Sequence, residues 1–526
     1  MAVGIRLGNS NGAGDRALRS LGLHRQKRVA GAAMAHQSNG GVPNELVPEI
    51  VITLKRSVIF EERFLMKFSS LVSLTSLSFL IASTLSPGAG WRTDGSGLYP
   101  DADPVVEWST EDNVIYKTPL PDWGNSSPVL EGDKIFLNTE PDTLVCLGAE
   151  DGEILWKAAS PLASAMSAEE QEQLEKNKVA IEEMEQEVMK LNREIRQVQR
   201  QLRRAEGEEK EAIGAKRDQM LERRDELTKN LTNMGGILTP QTHPSNGYTS
   251  PTPVTDGERV YAVYGTGVIA AFDMEGNRLW TVLHEQPDHN WGHSSSPLLV
   301  DGKLMVHIKD LMALDPETGE VIWETEIEEG WGTAAVDQVG ETTILVTSKG
   351  DIVRAEDGEV LASDLFDLPY GSPIIHEGVI YAVDQNGGVA FQLGDQVESD
   401  QIAVTKLWEN DPPRDRYYSS PVVVDGVLYA MNRGREFSAI DAKTGEILYS
   451  EKIDMGRGQQ LYGSLSLAGG KLFVNHDSGS TAVLKPGGEF ELVKVNALEP
   501  TRSTPIFDEG RIYFRTDSHL FCLGLP

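Results

Sequence analysis

Apolar residues fall in short runs through most of the chain after residue 100. Stretches such as Val379-Ile380-Tyr381-Ala382-Val383 and Val427-Leu428-Tyr429-Ala430-Met431 have the length and β-branched or aromatic content of half-buried strands. The runs are separated by Asp256-Gly257, Asp301-Gly302 and Asp425-Gly426, where glycine accepts the positive φ of a tight hairpin; Thr318-Gly319 and Thr444-Gly445 punctuate the next hairpin in the same way. A second pattern interrupts the first. Between Ser167 and Asn233, Leu174, Ile181, Val188, Ile195 and Leu202 recur every seven residues, with Met184, Leu191 and Val198 filling the complementary seam. That spacing predicts a coiled-coil segment inside an otherwise all-β chain.

The strand pattern is a repeat. Its fullest copy runs Ser295-Ser296-Pro297-Leu298-Leu299-Val300-Asp301-Gly302-Lys303, then Ala313-Leu314-Asp315-Pro316-Glu317-Thr318-Gly319-Glu320-Val321-Ile322-Trp323. Copies begin at Ser127, Pro251, Ser296, Thr333, Ser372, Ser420, Ser464 and Thr504, and those after the first start 37 to 48 residues apart. This is the period of a four-stranded propeller blade. The last copy ends at Leu520-Phe521-Cys522-Leu523-Gly524, short of a Trp-bearing strand, whereas Val105-Val106-Glu107-Trp108 precedes the first copy without a unit of its own. An eight-bladed β-propeller is therefore expected, with an N-terminal strand completing the last blade and leaving only short sheet edges.

The Ala-x-Asp-x-x-Thr-Gly-x-x-x-Trp signature resembles the repeats of pyrroloquinoline-quinone-type propellers. That family includes quinoprotein alcohol dehydrogenases and the propeller lipoprotein of the outer-membrane β-barrel assembly machinery. The stretch Trp91-Arg92-Thr93-Asp94-Gly95-Ser96-Gly97 is similar to the Trp-Arg-Gly lead-in of secreted planctomycete-type members. The resemblance covers residues 91–160 and 240–526 and implies a fold more than a chemistry. The dehydrogenases carry vicinal cysteines over their quinone. Here Cys146 and Cys522 are the two cysteines, and no Cys-x-x-Cys-His, Gly-x-Ser-x-Gly, Walker or His-Glu-x-x-His motif occurs. No cofactor is predicted from the residues, and pyrroloquinoline quinone with calcium remains only what the resemblance offers. Cys146 and Cys522 occupy the slot filled by Ala313 and Ala439, as small core residues, with one disulfide between neighbouring blades left open.

Composition narrows the partners. With 526 residues, 40% of them hydrophobic, the chain is long enough for a large core, and its formal charge of −32 opposes general nucleic-acid binding. Met66-Lys67-Phe68, the apolar run Leu71 to Leu85 and the small residues Ser86-Pro87-Gly88-Ala89-Gly90 resemble a signal peptide. The organisation read from the chain is thus an extension over 1–65 that lies outside the fold, a signal at 66–90, the propeller start at 91–164, the coiled-coil insertion at 165–235 and blades 2–8 at 236–526. Translation from Met66 with export to the periplasm or exterior is expected; an uncleaved signal anchor is the alternative. No cysteine lies between residues 80 and 95, so lipidation is not expected.

Four features stand apart from the strand repeat and are candidates for function. An insertion must leave and return near one point, which favours an antiparallel helical hairpin turning near Ala205–Lys210. Its first helix, on the order of 50–60 Å long, could hold a protein partner or an envelope complex through Leu174, Ile181, Val188, Ile195 and Leu202, or simply pack on itself. Just before each blade sits an aromatic, at Trp123, Tyr248, Trp291, Trp331, Tyr370, Tyr418 and Tyr462, replaced in the last blade by Arg502. With His293, these would ring one mouth of the central channel, either as walls for a planar or sugar-like, anion-bearing ligand or as wedges between blades. The loop from His284 to His293 holds three histidines without the spacing of a metal pair, and Asp411 to Arg416, with Arg433 and Arg435, forms a basic cluster open to an anion or to internal salt bridges.

The leading expectation is an exported, non-catalytic binding or scaffold propeller. A divergent quinone-dependent dehydrogenase and a carbohydrate- or polymer-binding propeller are the alternatives. Mass spectrometry of the mature N-terminus should place it close to residue 90; a mature chain that retains residues 1–65 would contradict the Met66 start.

Overall fold

The expected half-buried strands are instead buried on both faces, as in Val379–Asp384 and Val427–Met431; such strands need a sheet on each side, and eight sheets arranged in a ring satisfy one another. The computed structural model describes residues 89–234, 239–456, 458 and 460–525, and it forms this ring. Blades 1 to 7 span residues 129–159, 254–283, 298–325, 335–362, 374–410, 422–452 and 466–497, each with four antiparallel strands in sequence order. Blade 8 takes three strands from residues 506–523 and its outermost strand from the N-terminal side.

The closing strand is Val114–Pro119, which pairs antiparallel with His519–Leu523. The expected strand Val105-Val106-Glu107-Trp108 does something else. It runs between blades 7 and 8, with Asn496 bonding the N–H of Trp108 and the carbonyl of Val106. Trp108 is buried, its ring stacked 6.3 Å from Phe473. A tryptophan marked the wrong strand because the blade slot is filled here by Tyr116, opposite Cys522, just as Trp156 lies opposite Cys146 and Trp323 opposite Ala313. Lys117 of the closing strand adds a 2.6 Å ion pair to Glu499.

The recurring residues work between blades. The indole N–H of Trp156 donates to Met274 O at 3.0 Å, Trp280 to Pro316 O at 3.0 Å, Trp323 to Ala355 O at 3.2 Å and Trp408 to Ala442 O at 2.8 Å. Tyr116 Oη closes the series on Ala149 O at 3.2 Å. In each case a glycine of the next blade's turn lies against the ring: a Cβ on Gly276, Gly319, Gly358, Gly445 or Gly152 would come within 2.8 Å of it. The Thr-Gly of the repeat thus provides both a left-handed turn and a seat for the preceding blade's aromatic.

Residues 89–99 form a strap across the central channel. Ala89 bridges Thr255 of blade 2, whereas Arg92 donates to Pro421 O at 3.1 Å and Leu465 O at 2.7 Å, in blades 6 and 7. Blades 2 and 6 are diametrically opposite in a ring of eight, so the strap must pass the axis. Leu98–Tyr99 then adds a parallel fifth strand to the channel side of blade 7. Arg92 is fully buried, and burial lowers its pKa to about 10.

The insertion folds as an antiparallel hairpin of α1 (Ala168–Leu202) and α2 (Gly207–Asn233), opened by a capping box in which Ser167 and Glu170 each bond the other's backbone N–H. Ile181, Val188 and Ile195 are buried; Ile181 and Val188 pack with Leu227 and Leu231 of α2, and Leu202 faces Gly214. These seam positions hold the hairpin together, so their heptad spacing reflects self-packing. The side chain of Leu174 and the segments 1–65 and 66–88 lie outside the described residues. Cys146 and Cys522 are both buried free thiols, without a disulfide.

If the glycine seats matter as argued, Gly319→Ala should destabilise the fold by about 2–4 kcal/mol, against about 1 kcal/mol for Gly302→Ala, whose φ is also positive but whose Cβ would meet nothing. In a Trp280→Ala background the excess should vanish in denaturant titrations; an undiminished excess would refute the seat.

Candidate functional site

Each innermost strand begins at the same face of the ring with a hydroxyl residue, and these hydroxyls bond around the circle. The backbone N–H of Ser127 donates to Thr252 Oγ1 at 3.0 Å, Thr252 to Ser296 at 3.0 Å, and Ser296 to Thr333 at 3.0 Å. After one unlinked step, Ser372 donates to Ser420 at 3.1 Å, Ser420 to Ser464 at 3.0 Å, Ser464 to Thr504 at 2.9 Å, and Thr504 back to Ser127 at 3.1 Å. Above this ring opens a cavity of about 950 Å³, with Trp91 of the strap among its lining residues. The channel is therefore closed by the strap and forms a pocket.

The expected aromatic circle is realised over half its circumference. Trp331, Tyr370, Tyr418 and Tyr462 line the cavity as a stepped ladder, with successive ring centroids 6.0, 4.7 and 5.1 Å apart. Arg502 lies over Tyr462 at 5.9 Å, and Arg416 over Tyr370 at 5.6 Å while donating to Tyr418 Oη at 3.0 Å. That hydrogen bond, followed by the tyrosines' coulombic attraction, raises the pKa of Arg416, and burial raises that of Tyr462. Among the described residues neither arginine has an ion pair within 4.0 Å, although Asp477 also lines the cavity. The other arginines of the basic cluster are engaged elsewhere: Arg414 with Asp411 at 3.2 Å, Arg433 with Asp415 at 2.9 Å, and Arg435 with the carbonyl of Gly456. Reading Asp411 to Arg416 as one cluster missed that Arg416 alone turns to the mouth. Only its position two residues before Tyr418 could have marked it.

The other arc is covered by chain returning from the hairpin. Tyr248 donates its hydroxyl to Pro240 O at 2.9 Å, and Trp123 packs against Gly247, so neither lines the cavity. Trp291 does line it, stacked on His243 at 4.8 Å and held through its carbonyl by Asn246. Sequence spacing gave no signal for His243, Asn246 or Trp91 as lining residues. His293 is buried beneath the mouth, and desolvation, with a smaller repulsion from His307, pushes it down to about 3, so it stays neutral and outside the pocket.

Beside Trp331 lies a separate titrating pair. His289 packs its ring 4.6 Å from the indole and brings Nε2 to 3.2 Å from Glu329 Oε1. Burial, then Asp288, pushes Glu329 up to about 7, and burial lowers His289. Near neutral pH the contact is consequently a neutral one more than an ion pair.

The residues do not fit a quinone with calcium. Calcium takes six to eight oxygens, usually including carboxylates, and Asp477 is the sole carboxylate lining the cavity among the described residues. The two thiols sit buried in separate blades, away from the mouth. Oxygens of Glu285, Asp310 and Glu324 come within 4.8 Å of one another, but Glu285 is occupied by the backbone N–H groups of Lys309 and Asp310, and none of the three lines the cavity.

The family model described as the outer membrane protein assembly factor BamB, a PQQ-repeat family, matches residues 89–222 and 220–390, more than half the chain. The chain belongs to this family. This PQQ-repeat propeller is similar to solved structures at the level of fold. It shares 10% identity with quinohemoprotein alcohol dehydrogenase from Comamonas testosteroni, over 83% of this chain and 80% of that one, with a TM-score of 0.50. BamB from Moraxella catarrhalis shares 11%, over 78% and 99%, with a TM-score of 0.48. Quinohemoprotein alcohol dehydrogenase ADHIIG from Pseudomonas putida HK5 also shares 11%, over 81% and 78%, with a TM-score of 0.48. No curated protein matches the PQQ-repeat propeller in sequence. Among the described residues no helix is long and apolar enough to cross a membrane.

The shifted Glu329 has a measurable consequence. Between its ordinary value of 4.5 and about 7 the folded protein holds a proton that the unfolded chain has released, so stability should fall as pH rises through that window. Glu329→Gln should flatten this fall in thermal melts from pH 4.5 to 7.5; a difference from wild type that is constant with pH would contradict the assignment.

Proposed function

We propose that this PQQ-repeat propeller is an exported, non-catalytic binding protein that holds a small ligand in its mouth and protein partners on its helical hairpin. The observation that carries the reading is the strap-floored cavity, walled by four stepped aromatics and two arginines that make no ion pair within 4.0 Å among the described residues. Apolar walls with a few placed polar groups characterise small-molecule sites, and this volume lies at the upper end of their ~300–1,000 Å³ range. Export rests on the signal-like segment at 66–90, whose last two residues, Ala89 and Gly90, belong to the strap, so that removal of the signal would fall before Ala89. The hairpin's part rests on its length of roughly 50 Å, which carries its tip far from its root, and on exposed apolar residues such as Val179 and Met189 outside the packed seam. An envelope-assembly role, of the kind named in the description of the family, accords with both features.

The reading separates two surfaces, and two variants test them. Removing residues 165–235 should leave a folded propeller, with a melting temperature within a few degrees of wild type, yet abolish protein partners recovered from envelope extracts. Tyr370→Ala/Tyr418→Ala should keep those partners but lose a ligand seen as a mass increment in native mass spectrometry of protein purified from its own host. Unchanged partners and no ligand in wild type would overturn the proposal. For the dehydrogenase alternative, protein supplied with pyrroloquinoline quinone and calcium should show no dye-linked alcohol oxidation; turnover would replace the binding reading.

A further inference from the structure

The chemistry lining the mouth is unevenly distributed. The deep end carries the hydroxyl circle, including Ser127, Ser296 and Ser464, each both donor and acceptor. The open arc carries aromatic faces inclined to one another by 27°, 54° and 39° down the ladder. A rigid planar ligand prefers a parallel slot. Successively tilted faces suit a chain of puckered rings, each presenting C–H groups to one aromatic and hydroxyls to the polar residues opposite.

Two cations stand on that arc in a chain of formal charge −32. The guanidinium groups of Arg416 and Arg502 lie over the rings of Tyr370 and Tyr462, at 5.6 and 5.9 Å from their centroids. Arg502 Nε is buried without a hydrogen-bond partner. Among the described residues neither guanidinium has a carboxylate within 4.0 Å, although Asp415 acts on Arg416 and Asp517 on Arg502 at longer range, so both remain available for bidentate recognition of a carboxylate or sulfate. The floor adds a restriction, because the strap anchored by Arg92 to blades 6 and 7 crosses the axis. A ligand can therefore enter from one side only.

We propose that the mouth binds the end of an acidic polysaccharide, with Tyr370, Tyr418 and Tyr462 packing successive sugar rings and Arg416 and Arg502 reading their carboxylate or sulfate groups. This inference rests on the mouth being the ligand site. Terminal recognition follows from the closed floor, and selectivity for charge from two arginines that hold no close ion pair among the described residues. Elsewhere the chain's excess negative charge would repel such a polymer, leaving the mouth as its favoured point of contact.

Calorimetry with trigalacturonic acid, a chondroitin sulfate tetrasaccharide and neutral cellotetraose tests the assignment. At least one acidic ligand should bind roughly tenfold or more tightly than cellotetraose, weakening as sodium chloride is raised. The trigalacturonate and chondroitin arms separate carboxylate from sulfate recognition. Arg416→Gln, at an exposed position, and Arg502→Gln should each cost about tenfold or more for the acidic ligand, a larger loss than for cellotetraose; equal losses for both ligands would overturn the anion assignment. Long polygalacturonate should take up about one protein per chain; many proteins per chain would overturn end recognition. Equal binding of neutral and acidic sugars, lost in Tyr418→Ala, would overturn the anion assignment while leaving the mouth as the ligand site. No oligosaccharide binding, with a ligand still retained in native mass spectrometry, would overturn the sugar assignment alone. Absence of both would remove the ligand site as well.

Discussion

The structure depends on contacts that cross from one blade to the next. A four-stranded blade has two apolar faces and cannot stand alone, so its stability is shared with its neighbours. At the axis, backbone N–H groups donate to hydroxyls of the following blade in seven of eight steps, from Ser127 through Thr504 and back. Further out, the indoles donate to the next blade's turn over a glycine. Each such bond contributes only about 1 kcal/mol. Their value is geometric, since equal steps at two radii set the rotation per blade and bring the eighth back to the first.

Closure then explains the irregular N-terminal segment. The chain begins its described path at blade 2, passes the axis, lies along blade 7, wedges Trp108 between blades 7 and 8 and finishes blade 8 with Val114–Pro119. One segment thereby ties four blades. The same path closes the channel and turns it into a pocket, so the cavity is a by-product of how the ring is fastened. The insertion has a comparable double effect: its return chain covers Trp123 and Tyr248 and leaves the ladder from Trp331 to Tyr462 open. The half-open mouth comes from two departures from the repeat.

Legibility followed the range of the interactions. Strands, turns and blade number came from local periods of two and about forty residues, and the hairpin from a period of seven; all are written in neighbouring residues. The closing strand was misplaced because Trp108 imitates a blade tryptophan while Tyr116 replaces one, and only the pairing of Tyr116 with Cys522 distinguishes them. His293 shared the spacing of the rim but is buried, and its spacing along the chain did not distinguish it from the aromatics that face the cavity. Arg416 was visible as a charge and not as a rim residue, since its contact with Tyr370 joins adjacent blades.

By itself, the sequence determined the all-β repeat, the number of blades, the need for an N-terminal strand to close them and the helical nature of the insertion. Each follows from periodicity and turn chemistry within a few dozen residues. The tertiary structure alone decided which strand closes the ring, that Ile181 and Val188 of the α1 seam pack on α2, that the channel has a floor, and which aromatics and arginines share one cavity. Those outcomes turn on contacts between residues up to several hundred positions apart, such as Arg92 with Leu465. No local pattern specifies such a pair, because its geometry exists only once the ring has closed.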